Sequence, residues 1–178
     1  SSNPKITSVE FQGTSICKSI GKNAFANCTY LKGIKIPNSV TYIASYAFYN
    51  CSSLASITIG EKVDTIGSDA VHDCVGLVEI NYNAKSISSF GSANYIFAWA
   101  GYDTNGIKVK IGSNVEKIPA YLFCPYKKQS GEVYYSPKVV SVEFQGTSIC
   151  KSIGDFAFYG CKTLKSIKTS SLSCCQFS

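Results

Sequence analysis

The chain has 178 residues, nine of them cysteine, and a formal charge of +6 in which all 17 basic residues are lysine. That length is one domain's worth and long enough to bury a continuous core. With no arginine there is no bidentate fork for guanine edges or phosphates, and the lysines are scattered singly, so a solvated surface is favoured over a sequence-specific nucleic-acid site.

The first element is a repeat. Leu31-x-x-Ile34-x-Ile36, Val40-x-x-Ile43 and Ala47-Phe48-x-x-Cys51 return as Leu54-x-x-Ile57-x-Ile59, Val63-x-x-Ile66 and Ala70-Val71-x-x-Cys74. A period of this length, within the range of roughly 20 to 29 residues and opening on Leu-x-x-Ile-x-Ile, marks a leucine-rich-repeat solenoid, in which each turn exposes an apolar side that the next one covers. Strand positions run in chain order through Ile6, Val9 and Phe11; Ile34 and Ile36; Ile57 and Ile59; Ile80 and Tyr82; Val109 and Ile111; Val142 and Phe144; and Leu164 and Ile167. Period-2 alternation sends these inward and aligns the residues between them as outward columns. Later in each turn an inward pair and a small residue recur, from Ala24-Phe25 with Cys28 to Ile96-Phe97 with Ala100, Leu122-Phe123 with Tyr126, and Ala157-Phe158 with Cys161. The segment Ser8 to Gly21 reappears unchanged as Ser141 to Gly154, which reads as a segmental duplication. Gly21, Gly67 and Gly154 stand at turn positions where a positive φ is expected to be useful.

The consensus Leu-x-x-Ile-x-Ile-Pro-x-x-Val-x-x-Ile-Gly-x-x-Ala-Phe-x-x-Cys resembles the BspA-like leucine-rich repeats of secreted and surface proteins from bacteria and parasitic protists. The match is strongest in Leu31 to Ile43 with Tyr46 to Cys51, and in Ser152 to Cys161. The resemblance implies a curved ladder of short parallel strands, one per turn, and a role in adhesion or recognition toward proteins or glycans on a host cell or matrix. It transfers no catalytic residue and no cofactor. The expected fold is therefore a mainly β, curved right-handed leucine-rich-repeat solenoid with irregular or 3₁₀ turns on its convex side. It forms a single domain over 1–178 of about seven turns, with irregular insertions at 83–106 and 125–138 and a tail at 170–178. No run approaches the ~18 uninterrupted apolar residues of a membrane span. A chain without methionine that begins Ser-Ser-Asn-Pro is expected to be a processed or excised segment. The last turn shows no amphipathic cap, so either the tail folds over that end or the natural protein continues.

Cys28, Cys51, Cys74 and Cys161 share one slot, and Ala100 and Tyr126 take it in the middle turns; a column of buried thiols accounts for that better than pairing does. A local bridge from Cys17 to Cys28, or from Cys150 to Cys161, stays open, as does an exposed role for vicinal Cys174-Cys175. Zinc needs converging ligands, and the chain has one histidine and no Cys-x-x-Cys. His72 lies two residues from Cys74, but register sends it outward and the thiol inward, so no nucleophile–base pair is expected. Glu10, Glu79 and Glu143 sit in different turns and offer no carboxylate pair for glycoside hydrolysis. Asn27-Cys-Thr29 and Asn50-Cys-Ser52 fit the N-glycosylation pattern, though with cysteine in the middle position the acceptor is poor.

Binding is what remains, and two surfaces present themselves. One is the outward strand column, small, polar and mixed in charge, from which Lys35, Thr58, Asn81, Lys110 and Glu143 are taken. The other is the pair of insertions, where aromatic and cationic side chains of the kind that anchor interfaces concentrate: Trp99 and Tyr102 in the first, Tyr126, Lys127, Lys128, Tyr134 and Tyr135 in the second. The expectation is a non-enzymatic cell-surface or secreted recognition module; the rival is a structural spacer of a larger surface protein, without a ligand of its own.

Overall fold

The computed structural model describes residues 5–12, 16–88, 90, 94–127 and 134–169. In chain order its strands are β1 (Ser19–Ile20), β2 (Gly33–Lys35), β3 (Tyr42–Ile43), β4 (Ser56–Ile59), β5 (Thr65–Ile66), β6 (Glu79–Tyr82), β7 (Ile107–Ile111), β8 (Lys117–Ile118), β9 (Tyr126–Lys127), β10 (Tyr134–Tyr135), β11 (Val139–Phe144), β12 (Ser152–Ile153) and β13 (Ser166–Lys168). Six of them form one parallel sheet in the order β13-β11-β7-β6-β4-β2, and Val9 bridges Ile34 at its end. The expected register holds: Ile34, Ile57, Ile80, Val109, Val142 and Ile167 are successive partners across this sheet. These strands and the turns between them make the leucine-rich-repeat solenoid, with no helix among the described residues.

A second side, which the repeat pattern does not announce, is built from two-residue strands. β1, β3 and β5 pair in parallel, as do β8 and β12. Each contributes one buried or half-buried isoleucine, from Ile20, Ile43 and Ile66 to Ile118 and Ile153.

The third side is made of turns in which alternate amides have different partners. Ala24, Ala26 and Cys28 donate to carbonyls three residues back, at 3.1–3.2 Å, whereas Phe25 and Asn27 donate across to Ala47 and Tyr49 of the following turn, both at 2.8 Å. Phe48 and Asn50 reach Ala70 and His72 in the same way, at 2.7 and 2.9 Å. This zigzag requires left-handed backbone twice per turn, first at Asn23, Tyr46, Asp69, Tyr95, Tyr121 and Phe156, then at Asn27, Asn50, Asp73, Trp99 and Gly160. Gly21, Gly67 and Gly154 are not among these, which corrects the reading of them as positive-φ glycines. Gly67 and Gly154 instead permit close approach: a Cβ there would strike the amide nitrogen of Ser45 or Ala120 in the preceding turn.

The interior is a stack. Phe25 lies on Phe48 (5.4 Å between ring centroids), and Phe97, Phe123 and Phe158 form a second run at 5.2 and 5.5 Å; Val71 separates the two. Beside the rings run the thiols. Cys51, Cys74 and Cys161 each donate to the carbonyl of Phe25, Phe48 or Phe123, at 3.1, 3.2 and 3.6 Å. Cys28, Cys51, Cys74 and Cys161 are all free, so neither a rung between turns nor a local bridge to Cys17 or Cys150 forms. Burial pushes the Cys161 thiol up to about 12 and raises Cys74 as well. Since the thiolate is the reactive species, iodoacetamide at pH 8 is expected to leave Cys74 and Cys161 unmodified in the native protein and to label both in denaturant, as read by peptide mass spectrometry. Native labelling would mean the column opens.

Candidate functional site: the strand face and the aromatic junction

The five strand-face residues fall in a single row. Lys35, Thr58, Asn81, Lys110 and Glu143 are successive register partners, and Lys168 continues the row past Glu143. Glu79, one row away, ties its centre together: Lys110 Nζ donates to Oε2 at 2.6 Å and Asn81 Nδ2 to Oε1 at 2.8 Å. The Lys110 ammonium, then the Asn81 amide, hold the Glu79 carboxyl below its ordinary value. Its folded pKa is thus lower than its unfolded one of about 4.3. The stabilisation it brings is therefore present above that value and lost as pH falls through the folded pKa. Lys110→Gln is expected to move the Glu79 pKa back up, as followed by carboxyl NMR titration. An unchanged value would remove Lys110 as the cause. At the margin of this face Val78, Glu79, Asp103, Thr104, Asn105, Gly106 and Lys108 line a shallow recess of about 560 Å³.

The two insertions, far apart in sequence, meet in space. Lys138 donates its amide to Ala100 at 2.9 Å and its Nζ to the Thr104 carbonyl at 2.5 Å, while Ile107 donates to the Lys138 carbonyl at 2.7 Å. The second insertion is not a simple loop: β9 and β10 pair antiparallel, setting Tyr134 opposite Lys127 and Tyr135 opposite Tyr126. Tyr135 stacks on Trp99 at 4.4 Å, and Tyr102 meets the same indole edge-on at 4.8 Å. Tyr102 is 58% exposed, and Trp99 and Tyr135 are half-buried. Of the residues singled out from sequence, the structure thus joins Trp99, Tyr102 and Tyr135 in one cluster and the five strand residues in another. Lys128 lies outside the described residues, as do Cys174, Cys175 and the tail.

Tyr46, Tyr95, Tyr121 and Phe156 take left-handed backbone at the first such position of their turns, and Trp99 takes it at the second. Its φ is +61°, in the slot held by Asn27, Asn50, Asp73 and Gly160 in other turns. Asparagine, aspartate and glycine are the residues that take left-handed backbone readily; a bulky ring there costs about 1 kcal/mol or more. The indole is held in a conformation that its own turn does not favour.

Sequence reading misses a third feature, on the turn side. Tyr46, Tyr49, Tyr95, Asp69 and His72 border a shallow basin of about 810 Å³. His72 lies between two carboxylates, with Nδ1 3.0 Å from Asp69 and Nε2 3.7 Å from Asp73, and meets the Tyr49 ring edge-on. Burial raises the Asp69 carboxyl against the opposing pull of His72. Cys74 is buried and turned away, so imidazole and thiol do not form a catalytic pair. Among the described residues no cluster of three or more histidine, cysteine or acidic side chains could hold a metal ion. On the same side Asn50 donates to Asn27 Oδ1 at 2.9 Å, engaging both asparagines of the glycosylation patterns.

The sequence pattern described as BspA type leucine rich repeat region, in six copies, matches residues 1–128 and 127–176. The chain belongs to the BspA-type leucine-rich repeat family. No curated protein matches it. Among solved structures it is similar to a leucine rich cell surface protein from Faecalibacterium prausnitzii, at 23% identity and a TM-score of 0.42 over 93% of this chain. It is also similar to a leucine-rich repeat protein from Bacteroides ovatus, at 19% identity and a TM-score of 0.35 over 85% of this chain. The chain spans 48% of the first protein's length and 64% of the second's. BspA-type repeats are scaffolds that present surface, and no helix among the described residues of this one is long and apolar enough to cross a membrane.

Proposed function

We propose that this BspA-type solenoid is a non-enzymatic recognition module of a cell-surface or secreted protein, contacting an extracellular macromolecule of a host cell or matrix through the junction of its two insertions. The observation that carries this reading is Trp99. An indole kept in left-handed backbone, wedged between an exposed tyrosine and one brought from the other insertion, is costly for local folding and well made for contact. The strand row, a mixture of basic, polar and acidic side chains, supplies further hydrogen-bonding groups along which an extended segment of a protein ligand lies.

The test is binding of the purified chain to an immobilised array of extracellular-matrix proteins and glycans, beside Trp99→Asn and a variant with residues 127–136 replaced by a short Gly-Ser link. Specific binding that both variants lose supports the module. An array on which the wild-type chain finds nothing, or binding that both variants keep, assigns the segment to a spacer role or to another face.

A further inference from the structure

The basin on the turn side shares no lining residue with the junction of Trp99, Tyr102 and Tyr135. It is built from two columns. Asn23, Tyr46, Asp69 and Tyr95 hold the first left-handed position of four successive turns, with φ of 58°, 59°, 57° and 37°. Three residues further on, Tyr49 and His72 occupy one slot in neighbouring turns. The rings stand crosswise: Tyr46 meets Tyr49 at 5.8 Å between centroids and 78°, and Tyr49 meets His72 at 5.5 Å and 79°. Their polar atoms form one chain. The Tyr46 hydroxyl bonds to Asp69 and the Tyr49 hydroxyl to Asp73, while His72 lies between the same two carboxylates, 3.0 Å from Asp69 and 3.7 Å from Asp73. Ser68, also in the lining, donates to Asn94 Oδ1 at 2.7 Å. The carboxylates are therefore held in place from both sides and still reach solvent, with side chains 15% and 32% exposed. A carboxylate has about four lone-pair sites, and a tyrosine and a histidine take no more than two of them.

We propose that this basin is a saccharide site, taking one neutral sugar residue of a glycan. A pyranose has an apolar C–H face and a rim of hydroxyl donors. Tyrosine rings, whose faces are electron-rich, complement the first, and fixed carboxylate and amide oxygens complement the second. The size agrees: about 810 Å³ lies within the roughly 300–1,000 Å³ of small-ligand sites. Other ligand chemistries fit less well. An ammonium or guanidinium group meets the Lys22 ammonium in the same lining, and its acidic partners are already engaged by tyrosine hydroxyls and the imidazole. A wholly apolar ligand would strip water from two carboxylates and give them nothing in return. Asp69 is the hydroxyl acceptor nearest the rings, and Tyr46, 37% exposed, is the stacking platform. This inference does not depend on the contact role proposed for Trp99.

The test titrates the methyl glycosides of glucose, galactose, mannose and N-acetylglucosamine singly into the purified chain and follows its side-chain NMR signals. At least one glycoside is expected to shift the ring signals of Tyr46, Tyr49 and His72 saturably, with a dissociation constant of about 1 mM. Tyr46→Asn and Asp69→Asn both install the residue that Asn23 already carries at this backbone position, so each is expected to keep the fold, as read by its melting transition. Each is expected to weaken that binding by about tenfold or more. No saturable shift with any of the four glycosides overturns the inference, as does binding that both variants keep. Shifts confined to Trp99, Tyr102 and Tyr135 place the sugar at the junction instead and overturn it too. Tetramethylammonium is run beside the sugars, and a basin that answers to it and to no glycoside is a cation site.

Discussion

Phe123→Ala is expected to destabilise the protein by about 3–5 kcal/mol, the range for removing a fully buried phenylalanine. Phe123 is 0% exposed, and its ring has a stacked neighbour on each side, Phe97 and Phe158. Phe48 provides the internal comparison. It is equally buried but stacks on Phe25 alone, because the next turn carries Val71 in that slot. Phe48→Ala should therefore cost less, by the ~0.5–1.5 kcal/mol that a ring pair adds beyond its buried area. Urea titration of the two variants gives the ordering, and equal losses would mean that the rings act only as filler. A solenoid turn touches only its neighbours. The Phe123 lesion is thus expected to leave hydrogen exchange in the first turns, around Ile43 and Ile57, nearly as slow as in the parent.

Trp99→Asn is expected to separate binding from stability. Asparagine restores the residue type that Asn27 and Asn50 show at this backbone position, relieving about 1 kcal/mol of strain, while the contacts with Tyr102 and Tyr135 are lost. The two effects oppose one another, so the melting transition should move by the equivalent of about 1 kcal/mol or less. Affinity for the ligand should fall by about 2 kcal/mol or more, roughly thirtyfold, as for an interfacial tryptophan anchor. A variant with a sharply lowered melting transition and unaltered affinity would make Trp99 a packing residue.

The long sheet is legible because isoleucine and valine recur with period two inside the longer repeat, and a one-residue slip would expose every one of them. The thiol column is legible for a related reason: Ala100 can replace Cys74's counterpart only if packing, not pairing, sets the slot. The short side is not legible, since two-residue strands such as Thr65–Ile66 are too brief for any periodicity to register. Left-handed backbone is half visible: Asn27, Asn50, Asp73 and Gly160 announce it, whereas Tyr46, Tyr95, Tyr121 and Phe156 adopt it under the pull of bonds to the next turn and carry no such signature. The aromatic junction is visible in sequence residue by residue but not as a junction. The stacking of Tyr135 on Trp99 depends on where the second insertion returns, and backbone bonds from Lys138 decide that. The basin around His72 draws its walls from four successive turns, so its members are scattered in sequence.

The alternating amides of the turn side have a mechanical corollary. The amide bonds that Phe25, Asn27, Phe48 and Asn50 make outside their own turn run along the stacking axis, as do the ladders of the three parallel sheets. Tension applied along that axis loads these rungs one turn at a time instead of shearing them together. The stack would then peel from its end in steps, each turn releasing about 80 Å of chain, and it would lengthen under load while the remaining turns kept their shape.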